Sequence, residues 1–406
     1  VQDSAFGKAA AGSTPRLAAA GFLATAISFG PARMGFGLFL PQFRESFALT
    51  TTGAGLLASG GFLAFLLALP VAAALDARHG PRLPVLAGAA AAVAGFALVA
   101  TAPGPALLAM GVAVAGASAG LCWTPFNDAA ERTVPQDIRP GTLSAISTGT
   151  TLGVAGAGAL ALAVGLGALP WRMTWGLFAA AGLVAAAAAA RAVPAGHRPT
   201  PRGHDAPALL RRETAPLYGA SLVFGASNAV YLSFAADRIA QAGGLPGPLS
   251  TSAPAAIFLG YGLFGLVGLA TGRMEARLGM RALLAGIFAA FATSLALIGL
   301  WPGSWPGVIA SAGLHGAAVM TVSATLSIWT LRLFPGRGSQ GFTAALMVVA
   351  AGSAAAPVLA GPALDALGPR AAFLGFALPA MLAALAFAVE GATRDWRGGR
   401  GSALQR

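Results

Sequence analysis

Four side chains bring polarity into long apolar runs of this sequence: Arg33, Asn228, Tyr231 and His315. A guanidinium in such a run lacks bulk water, so it needs a carboxylate, local carbonyls or an anionic ligand. The sequence offers it no acid at its own level. Asp237, in a later run that aligns with that of Arg33, falls nine residues further along, about 13 Å at 1.5 Å per residue. Asp128 falls near the opposite end of its own run. An arginine without a carboxylate suits an anionic solute such as a small organic acid, gripped by the planar fork of the side chain. The alternative is internal satisfaction, because Pro31 frees the carbonyl of Ile27. His315 lies ten residues into its run, about 15 Å deep, where an imidazole can bind a solute, carry a proton or simply pack. Asn228 and Tyr231 can complete a site with Arg33. Asp237 is a second candidate for proton coupling or for an outer gate, with interfacial solvation as its plainer explanation.

A second constellation is charged and occurs twice. "LDARHGPRL" begins at Leu75 and "MEARLGMRA" at Met274, 199 positions later. Each copy gives an acid, an arginine, a glycine and a second arginine at the same spacing: Asp76, Arg78, Gly80 and Arg82, then Glu275, Arg277, Gly279 and Arg281. The glycine lets two helices reverse tightly, and the arginines keep to the headgroup region. An acid at a helix end can face a neighbouring helix N-terminus or pair with an arginine. Contacts of that kind between two halves of the protein would exist only when the halves meet at that end, so the motif is expected to act as a gate that favours the outward-open state. Topogenic arginines around a turn glycine are the simpler alternative.

The elements that carry these residues follow from composition. With 56% hydrophobic and 9% charged residues, and a mean hydropathy of +0.74, the main solvent of this chain is lipid. Apolar runs long enough to cross a bilayer recur from end to end. Breakers divide them into twelve expected helices, at 17–43, 51–75, 83–101, 106–128, 141–167, 172–193, 216–240, 251–273, 282–300, 305–331, 340–362 and 371–391. Lys8 and Arg16 before "LAAAGFLATAIS" resemble a signal peptide, but the run continues to Phe43, too long for a signal core, and reads as the first span. With the N-terminus in the cytoplasm, 20 of the 25 basic residues fall in cytoplasmic segments, only Arg44, Arg172 and Arg370 fall outside, and Arg33 and Arg238 lie within helices. The net charge of +12 is thereby a matter of topology facing an acidic inner leaflet, and no nucleic-acid partner is implied. The single cysteine, Cys122, excludes an intramolecular disulfide and reads as a buried small side chain.

Segment 194–215, "PAGHRPTPRGHDAPALLRRETA", is the long hydrophilic interruption and divides the spans six and six. The organisation expected is a cytoplasmic N-terminus at 1–16, a six-helix bundle at 17–193, this cytoplasmic loop, a second bundle at 216–391 and a cytoplasmic tail at 392–406. The halves align as copies: a shift of 195 puts Arg33 opposite Asn228 and Gln42 opposite Asp237, and a shift of 198 puts Arg139 and Arg172 opposite Arg337 and Arg370. Copies with an even number of spans are parallel and related by an axis along the membrane normal.

These features together resemble the major facilitator superfamily of secondary transporters. The family signature between helices 2 and 3 is closely approached by "GRMEARLGMR" from Gly272 and more loosely by "AALDARHGPR" from Ala73, with each acid one residue before the family's Asp position. The resemblance implies an all-α polytopic membrane protein of twelve transmembrane helices in two pseudo-symmetric six-helix bundles. It also implies a central cavity lined by helices 1, 4, 7 and 10, the helices that carry Arg33, Asn228, Tyr231 and His315. The helix 5 pattern of the family's antiporters is only partial here: "GTTLGVAGAG" has the glycines but Val154 where proline is expected.

The function expected is therefore secondary active transport of a small organic anion across the inner or plasma membrane by alternating access, with protons as a candidate coupling ion and a monomer as the working unit. A proton-driven exporter of hydrophobic compounds is the alternative within the class. A membrane enzyme acting on a lipid-linked substrate would need clusters of acids or metal ligands near a membrane face. No Asp-rich, His-rich or Cys-rich constellation occurs, so neither enzymatic activity, metal nor cofactor is expected. A transport-inactive sensor would need a relay domain, which the sequence does not display.

Overall fold

A computed structural model describes residues 2–196, 209–247, 252–335 and 337–403; most of the expected central loop, at 197–208, lies outside the described residues. Every described element is helical. In chain order these are α1 (Gln2–Phe29), α2 (Pro31–Leu38), α3 (Leu40–Phe47), α4 (Thr51–His79), α5 (Arg82–Thr101), α6 (Pro105–Thr133), α7 (Arg139–Gly165) and α8 (Trp171–Ala192). They continue with α9 (Ala215–Gln241), α10 (Ala253–Gly265), a 3-10 turn (Leu266–Ala270), α11 (Thr271–Leu300), α12 (Trp305–Leu333), α13 (Gly338–Leu367) and α14 (Pro369–Ala403).

The first expected span is not one straight helix. It breaks at Gly30 (φ −75°, ψ −100°) and again at Phe39 (φ −102°, ψ 10°). Both breaks precede a proline in the first turn of the next segment, Pro31 and Pro41, where a missing N–H costs nothing but continuation of the preceding helix is obstructed. Backbone bonds from Gly30 to Ala26 and from Met34 to Gly30, each 3.0 Å, still bridge the first break, and Arg33 lies in the first turn after it.

Among the described residues, eleven helices are long and apolar enough to cross a membrane. One of them, Ala255–Leu300, has 46 residues, which at 1.5 Å per residue is about twice the ~30 Å hydrocarbon thickness. It is interrupted at Gly279, whose φ of 77° and ψ of 158° belong to a region open essentially to glycine alone. Gly80, at the equivalent place in the first copy of the motif, ends α4 with φ 83° and ψ 176°. The two copies thus share a backbone turn as well as a sequence.

Burial ranks the helices. In the most apolar window of Arg212–Gln241 78% of residues are buried, against 28% for Pro369–Val389, so α9 runs through the protein interior and α14 along its periphery. Leu63, Leu67, Leu183, Val184, Leu378 and Leu382 stand exposed on α4, α8 and α14, as lipid-facing side chains would. Within the first half α4 and α5 pack on α6, α1 on α7 and α5 on α8; within the second, α11 packs on α12 and α14, α9 on α13 and α10 on α12. The most extensive pairings between elements before and after segment 197–208 are α4 with α13, α7 with α10 and α2 with α9. They depend on small residues. A Cβ on Gly37 would come within 1.7 Å of the Leu232 carbonyl oxygen, and one on Gly55 within 2.3 Å of that of Pro357.

Candidate functional site

Arg33 projects from α2 between the rings of Phe29, Phe62 and Phe65, whose centroids lie 5.6, 5.9 and 4.6 Å from its guanidinium carbon. Cation–π contact of this kind compensates part of the lost hydration. It leaves the hydrogen-bond donors unused: Nε and Nη2 are buried and have no partner. Those two nitrogens form the side-on edge of the guanidinium, the edge that accepts a carboxylate or phosphate through two parallel bonds. The arginine opens onto a cleft lined by Ala32, Phe36, Gly37, Ala58, Gly61, Phe62, Val112, Gly116, Leu232 and Ser233, from α2, α4, α6 and α9. No acid is among these residues. The cleft has about 20 Å³ of free volume, room for one water and not for a solute.

Asn228, Tyr231 and His315 come together in a neighbouring, sealed cluster. The imidazole is fully buried and stacks on Tyr231 at 3.7 Å between ring centroids, 11° from parallel. Phe291 meets it edge-on at 5.0 Å and Tyr261 lies 5.9 Å away. Tyr261 on α10 donates its hydroxyl to Asn228 Oδ1 at 3.3 Å. The two parts of the site meet on α9, where Tyr231 is followed by Leu232 and Ser233 of the Arg33 cleft wall. A Cβ on Gly316 would lie 2.0 Å from the Tyr261 carbonyl oxygen, so this glycine lets α12 press against α10 and brings the rings together. Two serines complete the cluster: Ser294 Oγ lies 2.7 Å from His315 Nδ1, and Ser311 Oγ lies 3.0 Å from the Tyr231 hydroxyl.

Asp237 stands apart from this cluster, near the end of α9. Arg44 on α3 reaches it with Nε at 2.9 Å and also donates to the Leu49 carbonyl and to Thr51 Oγ1, each at 2.9 Å. Gln241 Nε2 donates to the same carboxylate at 2.8 Å. Close by, Thr52 donates to Asp365 through its amide (3.2 Å) and its hydroxyl (2.8 Å), tying α4 to α13. These bonds join the two halves at one end of the protein, hereafter the Arg44 end. Just beyond the Arg44–Asp237 pair is a recess of about 280 Å³ lined by Asp237, Arg238, Gln241, Asp365 and Phe373, among others. The close approaches between α7 and α10 run from Gly165 against Ser252 to Thr151 against Gly265, again towards the Arg44 end.

The repeated motif lies at the opposite end. Asp76 is 3.7 Å from Arg132 of α6, which also pairs with Asp128. Glu275 is held by Arg332 of α12 through two bonds of 2.8 and 3.0 Å. The arginines stand 200 positions apart and the acids 199, so these are equivalent pairs in the two copies. Both join helices of the same half. Arg82 donates to the Ala190 carbonyl at 2.7 Å, fastening α5 to α8. Arg78 and Arg277 are exposed, and Gly80 and Gly279 make the turns.

Tyr261, Ser294, Arg44, Arg132 and Arg332 were not legible as partners. Tyr261 and Ser294 lie outside the four helices expected to line the cavity, and an arginine beside an apolar run carries no sign of which acid it will meet. The equal spacing of Arg132 and Arg332 was an available signal. Among the described residues no three His, Cys, Asp or Glu side chains gather as metal ligands would.

A family model described as Major Facilitator Superfamily matches residues 21–270. A search of curated proteins by sequence gives no match. Among solved structures, a mutant of the peptide transporter POT in complex with sulfate is similar with a TM-score of 0.77 at 15% identity, covering 94% of each chain. A mutant of the nucleoside transporter NupG gives 0.73 at 13% identity, covering 93% of this chain and 99% of its own. A POT family transporter in complex with 5-aminolevulinic acid gives 0.73 at 12% identity, covering 93% and 95%. At these identities the likeness is one of fold.

Proposed function

The chain belongs to the Major Facilitator Superfamily, and from that premise we propose that it is a secondary active transporter of a small organic anion, working by alternating access. The observation that carries this reading is the unpartnered Nε–Nη2 edge of Arg33, a residue that lines a cleft between α2, α4, α6 and α9 with no acid on its walls. A buried cation kept without a counter-ion is costly, and a solute carboxylate is the group that relieves the cost. An exporter of apolar compounds would have no use for that edge.

The architecture we infer is twelve spans in two bundles, at 17–193 and 216–391. The 46-residue stretch Ala255–Leu300 then counts as two spans that reverse at Gly279. With the N-terminus in the cytoplasm, the Arg44 end faces outward, and the Arg44–Asp237 pair closes it. The structure then corresponds to a state shut towards the outside. Solute binding in the Arg33 cleft requires the walls to part, because the free volume holds no more than a water. Release of the Arg44–Asp237 and Thr52–Asp365 contacts would let α2 and α9 separate from the outer side. The two copies of the charged motif, at the cytoplasmic end, would keep each half rigid during this motion through Asp76–Arg132 and Glu275–Arg332.

The test is uptake into proteoliposomes of a panel of organic anions, cations and neutral solutes, with and without a proton gradient. Uptake confined to anions and abolished by Arg33→Ala is the expected result. Transport that survives Arg33→Ala with its solute range intact would overturn the reading. The gradient arm, repeated on Asp237→Asn and on His315→Gln, tests whether either residue couples transport to protons.

A further inference from the structure

The proton positions around His315 can be assigned from distances. Ser294 Oγ lies 2.8 Å from the Phe291 carbonyl oxygen and 2.7 Å from His315 Nδ1. A hydroxyl has one proton to give. If it went to Nδ1, two acceptor oxygens would face each other at 2.8 Å with nothing between them, a repulsive contact. If it goes to the carbonyl, Oγ accepts from Nδ1–H and both short contacts are hydrogen bonds. Ser294 therefore holds the imidazole as its Nδ1–H form. The same count at Ser311, whose Oγ donates to the Ser294 carbonyl at 2.7 Å, makes it the acceptor of the Tyr231 hydroxyl at 3.0 Å. The other nitrogen of the imidazole, Nε2, is a bare acceptor, buried and without a partner.

Among the buried hydrogen-bonding atoms without partners are two sets of opposite character in this site: Arg33 offers two donors and His315 one acceptor. Tyr231, stacked on the imidazole, directly precedes Leu232 and Ser233 in the wall of the Arg33 cleft, which brings the two sets to adjoining turns of α9. Buried polar atoms without partners cost free energy, and a ligand that supplies both complements is favoured over one that supplies either alone. Resting on the reading of Arg33 as the anion anchor, we propose that the transported solute is a bifunctional anion: a carboxylate at one end for Arg33 and a hydroxyl or amino donor at the other for His315 Nε2. Hydroxy acids and amino acids have that chemistry, and plain fatty acids do not. Tyr231, stacked on the imidazole at 3.7 Å, fixes the ring plane and hence the direction from which the donor must arrive.

The experiment uses the full chain in lipid nanodiscs and measures binding of ω-hydroxyalkanoates of increasing chain length, each beside its methyl ether and its unsubstituted alkanoate. The ether keeps the oxygen as an acceptor and removes the donor. At the matching chain length the hydroxy acid should bind about tenfold tighter than its ether, the effect of one net hydrogen bond. His315→Phe should bring the ratio of hydroxy-acid to ether affinity to about one, the ratio being read within the same variant. His315→Gln, which retains an acceptor, should keep part of the difference and covers the case in which the phenylalanine variant fails to fold. Nitrogen-15 spectra of histidine-labelled protein, with His315→Gln to assign the signal, should show Nδ1 protonated and Nε2 bare. Equal binding of alcohol and ether at every length, preference for the ether, or an Nε2–H signal would each overturn the proposal. Those outcomes leave the anion reading standing if alkanoates still bind and Arg33→Ala abolishes their binding. Absence of alkanoate binding to the wild type, or binding unaffected by Arg33→Ala, sinks the anion reading and this inference with it.

Discussion

Arg44 Nε lies 2.9 Å from one carboxylate oxygen of Asp237 and 3.0 Å from the other, a contact between residues 193 positions apart. The carboxylate side chain is 5% exposed, so the pair is held largely out of water. Breaking a buried pair by removing one charge strands the other, which is why its loss is felt more strongly than that of a surface pair.

Asp237→Asn is accordingly expected to open the Arg44 end. Ser233 lies in the Arg33 cleft and is buried, and the single native cysteine, Cys122, is fully buried. A Ser233→Cys reporter should react with a membrane-impermeant thiol reagent about tenfold faster in the Asp237→Asn background, corresponding to ~1.4 kcal/mol of shifted equilibrium. An unchanged rate would mean that the pair does not hold the closed state.

Arg33→Lys separates charge from geometry. An ammonium keeps the positive charge but cannot offer the two parallel donors of the Nε–Nη2 edge. KM for the transported anion should rise about tenfold, with kcat changed less, whereas Arg33→Ala should remove measurable uptake. Equal KM for lysine and arginine would argue that the site reads charge alone.

The motif glycines should differ from each other in their sensitivity to alanine. Both have positive φ, so each substitution carries strain of roughly 1–3 kcal/mol. Gly80 has a further obstacle: its Cβ would sit 2.0 Å from the Gly196 carbonyl oxygen, while that of Gly279 meets nothing within 4 Å. Thermal unfolding in detergent should therefore show a larger fall in Tm for Gly80→Ala than for Gly279→Ala. The reverse order would contradict the geometry.

The acids of the motif pair within their own halves, so Glu275→Gln is expected to leave the balance of states alone. The Ser233→Cys labelling rate should stay within about twofold of the parent, since an exposed pair is weakly coupling. Any small loss of Tm should shrink in high salt, because the Arg332 side chain is 56% exposed and its charge is screened. A large change in labelling would restore the motif to the role of a gate.

Topology is open to the same chemistry. Cysteines introduced at His79 and Leu278 should label from one side of the membrane, and one at Gly303 from the other, if the 46-residue stretch Ala255–Leu300 is two spans. Labelling of Leu278→Cys and Gly303→Cys from the same side would remove the twelfth span.

The elements could be read from the sequence because the bilayer imposes a local rule. Every backbone polar group must be satisfied within its own segment, so each apolar run becomes a helix whose place follows from length, prolines and arginines. The duplicated motif from Leu75 and Met274 was equally legible, and its two glycines adopt the same turn. Arg33, Asn228, Tyr231 and His315 could be selected because polarity in an apolar run is costly wherever it occurs. What polarity meets is not a local property. The pairing of Arg44 with Asp237, the tautomer imposed on His315 by Ser294, and the bond from Tyr261 to Asn228 depend on elements far apart in sequence. The small residues Gly37 and Gly316 likewise decide how near the opposing helices come. The chain composition thus determined which groups are expensive to bury, and only packing between distant helices decided which of them were left without partners.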